Sequence, residues 1–332
     1  MMVVPNNVLI LADGDFCHGI SKGIELSNNE LALAENHIRG SFQSQEYSVL
    51  DYVDVVPSWN SWTPEGTSIE LQVRVRQGDK WSRWFSYGQW SDMGRNSGLP
   101  LGQQDDMAQM DMGQLRLLKG TGQGVQYQLQ LTRANPATPS PRVRRVAFSW
   151  PPDLGNADYT NVEIALDVPP RPQLPVPEIG NRICSPTSLS MVMAYHGVVQ
   201  DVEQVAAGVR DNESGIYGSW IYNVAYASER GFAAWVQRCH SMNDVKAYLL
   251  QGLPIVASIK IAAKKDLEGA HNAYPHGHLV VVTGLTHREG QDYVLVNDPA
   301  CHQEQDVPRH YRLDQFVRAW TRRGIYVLSP EK

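Results

Sequence analysis

The stretch NRICSPTSLSMVMAYHG, residues 181–197, organises the second half of the chain. Apolar residues follow Pro186 at helical spacing, and Gly197 ends the run. Proline suits the first helical position, and glycine suits the left-handed position after the last turn. Cys184 is therefore predicted at a helix N-terminus, where unpaired N–H groups and the helix dipole favour a thiolate. It is either a structural cysteine at a helix start or an activated nucleophile.

Two further residues about a hundred positions downstream favour the nucleophile. His278 opens the apolar strand GHLVVVTG, and Asp298 follows VLVN at the end of the next strand. If these strands pair, Asp298 can reach the ring nitrogen of His278 that faces away from the sulfur, as in a Cys-His-Asp arrangement. Each residue alone usually has a structural explanation, whereas all three at element ends indicate an active site. His276 is the alternative base, and we expect only one of the two histidines to serve.

Length and charge limit the class of protein. A chain of 332 residues fits two domains, and its hydrophobic fraction of 42% is that of a globular protein. The net charge of −6 gives no electrostatic case for a nucleic-acid partner. No apolar run is long enough to predict a transmembrane segment, and no signal peptide is visible. We therefore expect a cytoplasmic protein as written, or an exported one if the N-terminus has been trimmed.

The first half shows the pattern of an all-β domain, and the second half mixes helices and strands. Apolar and polar residues alternate at 68–76, 127–131 and 143–148, with turn residues between the runs, which predicts an antiparallel β-sandwich. Proline-rich stretches then separate the halves. We predict a β-sandwich domain at 1–160, which could be a binding module, and an α+β domain at 161–332.

Two further patterns bear on ligands. The first half is rich in tryptophan, which either stacks on sugars or fills a core, so carbohydrate is a candidate partner of this domain. The tryptophans are Trp59, Trp62, Trp81, Trp84 and Trp90. His271, His276 and His278 have no carboxylate or thiolate at ligand spacing, so no metal and no cofactor is expected.

These motifs together resemble a known family. The segments CSPTS at 184–188, GHLVV at 277–281 and NDP at 297–299 resemble the papain-fold cysteine peptidases related to the bacteriocin-processing, double-glycine leader peptidases. The branch of closest resemblance carries a β-sandwich ahead of a papain-like domain. The resemblance implies that Gln173, in VPPRPQ, supplies a donor of the oxyanion hole, and that Trp220 lines the substrate cleft.

One departure from the family concerns that oxyanion donor. The step from Gln173 to Cys184 is longer than the six residues usual in papain relatives. Asn181 or Glu178 could therefore occupy part of that region instead.

The expected function is that of a cysteine peptidase acting on a peptide or protein through a thioester acyl-enzyme. An amidase or acyltransferase could use the same three residues. The remaining alternative is a catalytically silent papain-like domain whose tryptophan-rich sandwich binds a glycan or cell-wall polymer.

Overall fold

The computed structural model describes residues 7–92, 94–151, 162–321 and 324–331. Over these residues the chain forms three seven-stranded sheets and five α-helices. Every strand pairing in the described ranges is antiparallel. Among the helices described, none has the length and apolar character needed to cross a bilayer.

The described residues up to 151 contain two of the sheets. In chain order their strands are β1 (Val8–Ala12), β2 (Ile20–Lys22), β3 (Ile24–Ser27), β4 (Glu30–Leu33), β5 (Arg39–Gln43), β6 (Tyr47–Tyr52), β7 (Asp54–Trp62), β8 (Thr67–Gln77), β9 (Lys80–Trp81), β10 (Phe85–Trp90), β11 (Ala108–Asp111), β12 (Gln114–Leu117), β13 (Gly122–Arg133) and β14 (Arg142–Ser149).

The first sheet has the order β11-β12-β7-β14-β4-β3, with β1 beside β14. The second has the order β10-β8-β13-β5-β2, with β6 beside β13 and β9 beside β8. Strand β8 shows why the sequence folds in this way: Ile69, Leu71, Val73 and Val75 are buried, and the residues between them are half-exposed. This is the period of two expected of a strand with one face in the core. The strands predicted at 68–76, 127–131 and 143–148 are confirmed.

The second half combines helices with the third sheet. Its helices are α1 (Cys184–Tyr195), α2 (Val202–Val209), α3 (Trp220–Ser228), α4 (Met242–Leu249) and α5 (Leu313–Ala319). Its strands are β15 (Ile164–Ala165), β16 (Phe232–Arg238), β17 (Ile255–Ile261), β18 (Tyr274–Arg288), β19 (Gln291–Asn297), β20 (Pro308–Arg312) and β21 (Gly324–Pro330). The sheet order is β16-β21-β17-β18-β19-β20, with β15 beside β18. The α+β class predicted for the chain is confirmed.

Helix α1 is buried from Ser185 to Met193 and packs against β18. A helix that is buried on all sides is typical of the centre of a domain. The helix begins at Cys184, so Pro186 occupies its third position rather than its first. That position still lies among the four N-terminal residues whose N–H groups have no partner within the helix, so proline removes no bond there. Gly197 ends the helix with φ of +91°, as expected.

The two halves share one hydrophobic core. The ring of Tyr222 on α3 lies 6.2 Å from that of Trp59 and 5.2 Å from that of Trp90, both in the first half. All three side chains are fully buried. The largest apolar cluster in the described residues therefore runs from the first two sheets into α1 and α3.

Buried polar groups also join the halves. The Asn60 side chain donates to the Ala234 carbonyl (2.6 Å) and accepts from the Ala234 N–H (3.1 Å). The carboxylate of Asp54 pairs with Arg238 at 2.7 Å. The predicted boundary at 160/161 lies outside the described residues, which omit 152–161.

Candidate active site

Cys184 is the first residue of α1, and its side chain is partly exposed. The first turn of α1 has no side-chain cap, so its backbone N–H groups stay directed at this end. The Cys184 sulfur lies close enough to the imidazole of His278 and to the backbone of Leu279, both on β18, for both groups to lower the pKa of the thiol. The packing of α1 on β18 therefore brings the thiol to the histidine.

His278 and Asp298 form a buried pair. The Nε2 atom of His278 lies 2.7 Å from Oδ1 of Asp298, and the two side chains are 4% and 0% exposed. Because Nε2 faces the carboxylate, Nδ1 is the ring nitrogen left for the sulfur of Cys184. The pairing of β18 with β19 sets this geometry, since Asp298 directly follows β19. The structure thus brings together the three residues that the sequence singled out.

Two tyrosines that sequence reasoning missed hold the Asp298 carboxylate. The hydroxyl groups of Tyr311 and Tyr274 donate to Oδ2 at 2.6 and 3.0 Å, and the Ala300 N–H donates to Oδ1 at 3.0 Å. The ring of Tyr274 also stacks on the imidazole of His278, with centroids 4.0 Å apart and planes 19° from parallel. Both carboxylate oxygens are therefore saturated by donors, and the ring plane of His278 is fixed.

The electrostatics of this cluster favour a thiolate and an imidazolium. Burial by itself would lower the pKa of His278, but the Asp298 carboxylate and the Cys184 sulfur raise it to about 10. Burial opposes ionisation of Cys184 as well, yet the hydrogen bond and charge of His278 leave the thiol pKa below its ordinary value. Burial would likewise raise the pKa of Asp298, but His278 and the donated hydrogen bonds hold it well below its usual range.

A local irregularity in β18 separates His278 from His276. The register against β17 shifts between the Ile259–His278 and Ile261–Tyr274 pairs, and Gly277 adopts φ of +104°. Only glycine adopts such a backbone readily. As a result Tyr274 and His278 both lie buried on one side, whereas His276 is exposed.

Gln173 is buried near this cluster, at 4% exposure. Its backbone N–H donates to Pro299, the residue after Asp298, and its Nε2 donates to the Gly180 carbonyl at 2.7 Å. Its Oε1 is buried without a hydrogen-bond partner among the described residues. The two alternatives, Glu178 and Asn181, are both exposed.

Trp220 begins α3 and is 8% exposed. Its ring packs edge-on against Tyr326 at 6.4 Å, and the Tyr326 hydroxyl lies 2.9 Å from the Ser185 hydroxyl, next to Cys184. The Asn223 side chain joins the same cluster, since its Oδ1 accepts from Ser185 at 2.9 Å. Most of the Trp220 side chain is therefore buried and packs, together with Tyr326, beneath the first residues of α1.

The tryptophans predicted to bind carbohydrate differ in how exposed they are to solvent. Trp59 and Trp90 are buried in the core, whereas Trp81 and Trp84 are half-buried and Trp62 is 39% exposed. Across the described residues, no group of three histidine, cysteine, aspartate or glutamate side chains is placed to hold a metal ion.

The chain was then compared with known proteins. Residues 165–327 match the Peptidase_C39 like family, and residues 21–150 match the Peptidase C39 N-terminal domain. A search of curated proteins found no match.

Three solved structures show similarity to parts of the chain. A C39-like peptidase from Bacillus anthracis has 18% identity and a TM-score of 0.39, covering 52% of this chain and 100% of its own. A double glycine motif protease from an AMS/PCAT transporter, solved with its leader peptide, has 19% identity and a TM-score of 0.34, with 52% and 100% coverage. The C-terminal CBM6 of a laminarinase from Zobellia galactanivorans has 9% identity and a TM-score of 0.25, with 43% and 99% coverage.

The matched families define the class of protein. The second half of the chain is similar to the C39-like peptidases, and this match confirms the predicted relationship to the papain-fold, bacteriocin-processing group. The strand-rich first half matches, over residues 21–150, the N-terminal domain of such peptidases.

Proposed function

We propose that the protein is a cysteine peptidase in which Cys184 is the nucleophile, His278 the general base and acid, and Asp298 the residue that orients His278. The observation that carries this proposal is the approach of the Cys184 thiol to the His278 imidazole, whose Nε2 lies 2.7 Å from a fully buried carboxylate. Nothing in a structural role requires a thiol with a lowered pKa at a partly exposed helix N-terminus. The family match supports peptide-bond hydrolysis as the class of reaction.

In the proposed reaction, the Cys184 thiolate attacks the scissile carbonyl carbon, and the electron pair of the C=O bond moves to oxygen. The imidazolium of His278 then protonates the leaving amine as the tetrahedral intermediate collapses to a thioester. Water, deprotonated by the neutral imidazole, attacks the thioester and releases the acid and the thiolate. Asp298 keeps the Nε2–H of His278 directed at itself, so that Nδ1 carries the transferred proton.

The oxyanion is proposed to be stabilised by the backbone N–H of Cys184 and by the side chain of Gln173. The N-terminal N–H groups of α1 are unpaired within the helix, which suits a developing negative charge. Gly180 accepts one of the two hydrogens on Gln173 Nε2, and the other remains to be donated to the substrate. We further propose that the exposed edge of Trp220 contributes to the cleft wall beside Ser185.

The architecture carries two more proposals. The two sheets of the first half form a β-sandwich, since the apolar faces of β8 and β13 enter the same core as β7 and β14. The boundary between this domain and the peptidase domain falls near residue 160. Two enzymatic alternatives use the same residues: an acyltransferase, in which an amine replaces water at the thioester, and an amidase, in which water hydrolyses a thioester formed from a non-peptide amide.

The test is turnover of casein and of casein-derived peptides by the full chain. Cys184→Ala should abolish turnover, while Cys17→Ala, a change at an exposed cysteine far from the cluster, should leave it intact. Gln173→Ala should slow turnover by roughly 10²–10³ without affecting the alkylation of Cys184. Adding glycine amide should leave hydrolysis dominant, and capture of most product by the amine would make the protein an acyltransferase. Turnover that survives Cys184→Ala would contradict the proposal.

A further inference from the structure

The solvent side of the second sheet is covered by polar side chains in regular rows. Because β8, β13 and β5 are paired, their outward residues lie side by side and alternate with buried ones. This polar face consists of Ser68, Glu70, Gln72 and Arg74 on β8, Gln128, Gln130 and Thr132 on β13, and Arg39, Ser41 and Gln43 on β5, with the buried Gln126 beneath Arg74. Neighbouring strands are about 4.8 Å apart and alternate residues about 7 Å apart, so the rows form a grid of donors and acceptors.

Hydrogen bonds across the strands hold this grid in place. Arg74 donates to Gln126 at 2.8 Å, and Gln128 donates to Gln72. Glu70 accepts from Gln72 at 2.7 Å. Side chains that are already ordered lose little further conformational entropy when a ligand binds.

The centre of the polar face differs from its surroundings. Gln130 is directly opposite Glu70 in the register, yet its side chain is exposed and has no hydrogen bond recorded among the described residues. Its amide can both donate and accept. It is therefore available to a ligand at the middle of an otherwise ordered grid.

Aromatic rings lie at one end of the polar face and a groove at the other. The guanidinium of Arg74 lies over the rings of Trp81 and Trp84, at 4.6 and 4.7 Å, so both indoles are held beside the grid. At the opposite end, a groove of about 770 Å³ is lined by Arg39, Ser68 and Thr132 among others, and it reaches inward as far as Gln130.

That groove continues toward an exposed tryptophan. It shares Glu65 and Arg95 with a second depression of about 450 Å³, which Trp62 borders. Glu65 and Arg95 pair with each other at 3.3 Å. Over the two depressions three arginines (Arg39, Arg95 and Arg133) and three acids (Glu65, Asp92 and Glu229) line the path, so its formal charges balance.

We propose that the polar face, with its groove and flanking tryptophans, binds a linear neutral oligosaccharide. Sugars present many hydroxyl groups that both donate and accept, together with apolar ring faces that pack on indoles. A grid of amides, hydroxyls, a carboxylate and a guanidinium matches such a ligand, whereas an apolar ligand would leave these groups unpaired. The balance of charge favours a neutral chain over a polyanion. This site is on the N-terminal domain and does not depend on the chemistry of Cys184.

The test uses the full chain and titration calorimetry with three probes: cellohexaose, chitohexaose and polygalacturonate. Gln130→Ala should weaken binding of the preferred neutral hexasaccharide about 3- to 10-fold, and Trp84→Ala about 10-fold. The matched control is Gln109→Ala, which changes an exposed glutamine on β11 of the other sheet and should leave affinity unchanged. Because Gln130 is exposed, its variant should keep the unfolding midpoint of the parent.

Three results would overturn the proposal. The first is that neither neutral hexasaccharide binds at millimolar concentration. The second is that Gln130→Ala and Gln109→Ala bind equally well. The third is that only polygalacturonate binds and salt abolishes the interaction, which would make the surface a general anion site.

Discussion

The reactivity of Cys184 toward an electrophile tests the electrostatics of the site most directly. With His278 present, we expect iodoacetamide at about pH 6 to label Cys184 before Cys17, although Cys17 is the more exposed of the two. In this pH range, lowering the thiol pKa by one unit raises the thiolate fraction tenfold. It also lowers the intrinsic nucleophilicity of the thiolate about threefold, so the labelling rate rises about threefold. Cys239 and Cys301 should lag, because both are buried and the pKa of Cys301 is raised to about 11.

The informative variant is His278→Ala. Opposite unit charges about 4 Å apart attract by about 4 kcal/mol at an effective dielectric constant near 20. Losing that attraction lowers the thiolate-to-thiol ratio by about 10³, whereas the greater nucleophilicity of the less acidic thiol raises the labelling rate about 30-fold. We therefore expect Cys184 labelling at pH 6 to slow about 30-fold.

The assay is peptide mapping by mass spectrometry after timed labelling, with Cys17 as the internal standard in each molecule. The rate at Cys17 should be the same in both proteins, because it lies outside the cluster. If His278→Ala leaves the ratio of Cys184 to Cys17 labelling unchanged, the imidazolium does not stabilise the thiolate and the proposed roles are wrong.

Buried polar groups give three further predictions. Tyr311→Phe should lower the free energy of unfolding by about 1.5–3 kcal/mol, the value of a hydrogen bond to a charged group. It should cost far less turnover than Asp298→Asn, because the Asp298 carboxylate stays ionised at neutral pH. Equal losses of turnover in the two variants would contradict this. Glu229→Ala should destabilise the fold by about 2–6 kcal/mol in urea unfolding, because it leaves a backbone N–H and an indole N–H of the first half without their acceptor. In the parent protein the Asp298 carboxylate and the Cys184 sulfur raise the folded-state pKa of His278 to about 10, so its stabilising contribution is complete below about pH 6.5 and is lost as the pH rises toward 10. Thermal unfolding of Cys184→Ala, in which Asp298 raises this pKa without the sulfur, should show a smaller decline that ends at a lower pH, and adding His278→Gln should remove it.

The sequence predicted the elements whose pattern is local. The alternation in β8 was readable from period two, and the structure places a strand at Thr67–Gln77. The three residues of the site were also found. Cys184 begins α1 and Asp298 directly follows β19, whereas His278, predicted to open its strand, is the fifth residue of β18 and precedes its apolar run. Their roles in catalysis remain proposals.

The features that the sequence did not predict depend on contacts that an element makes with two neighbouring elements. Helix α3 was not predicted, because WIYNVAYAS has no polar face. The structure gives the reason: α3 packs against both β7 and β16 and is buried along its whole length. Tyr311 was missed for a similar reason, since a tyrosine in a strand normally indicates a residue of the hydrophobic core. Its hydroxyl is brought to Asp298 by the pairing of β19 with β20.

The shared core has a consequence for the order in which the chain folds. The buried face of α3 is completed by Trp59 and Trp90, so the second half cannot bury Tyr222 until the first two sheets exist. During synthesis the N-terminal half emerges first and can fold before α3 is made. We expect it to act as a template for α3, against which α1, the helix that carries the thiol, then packs.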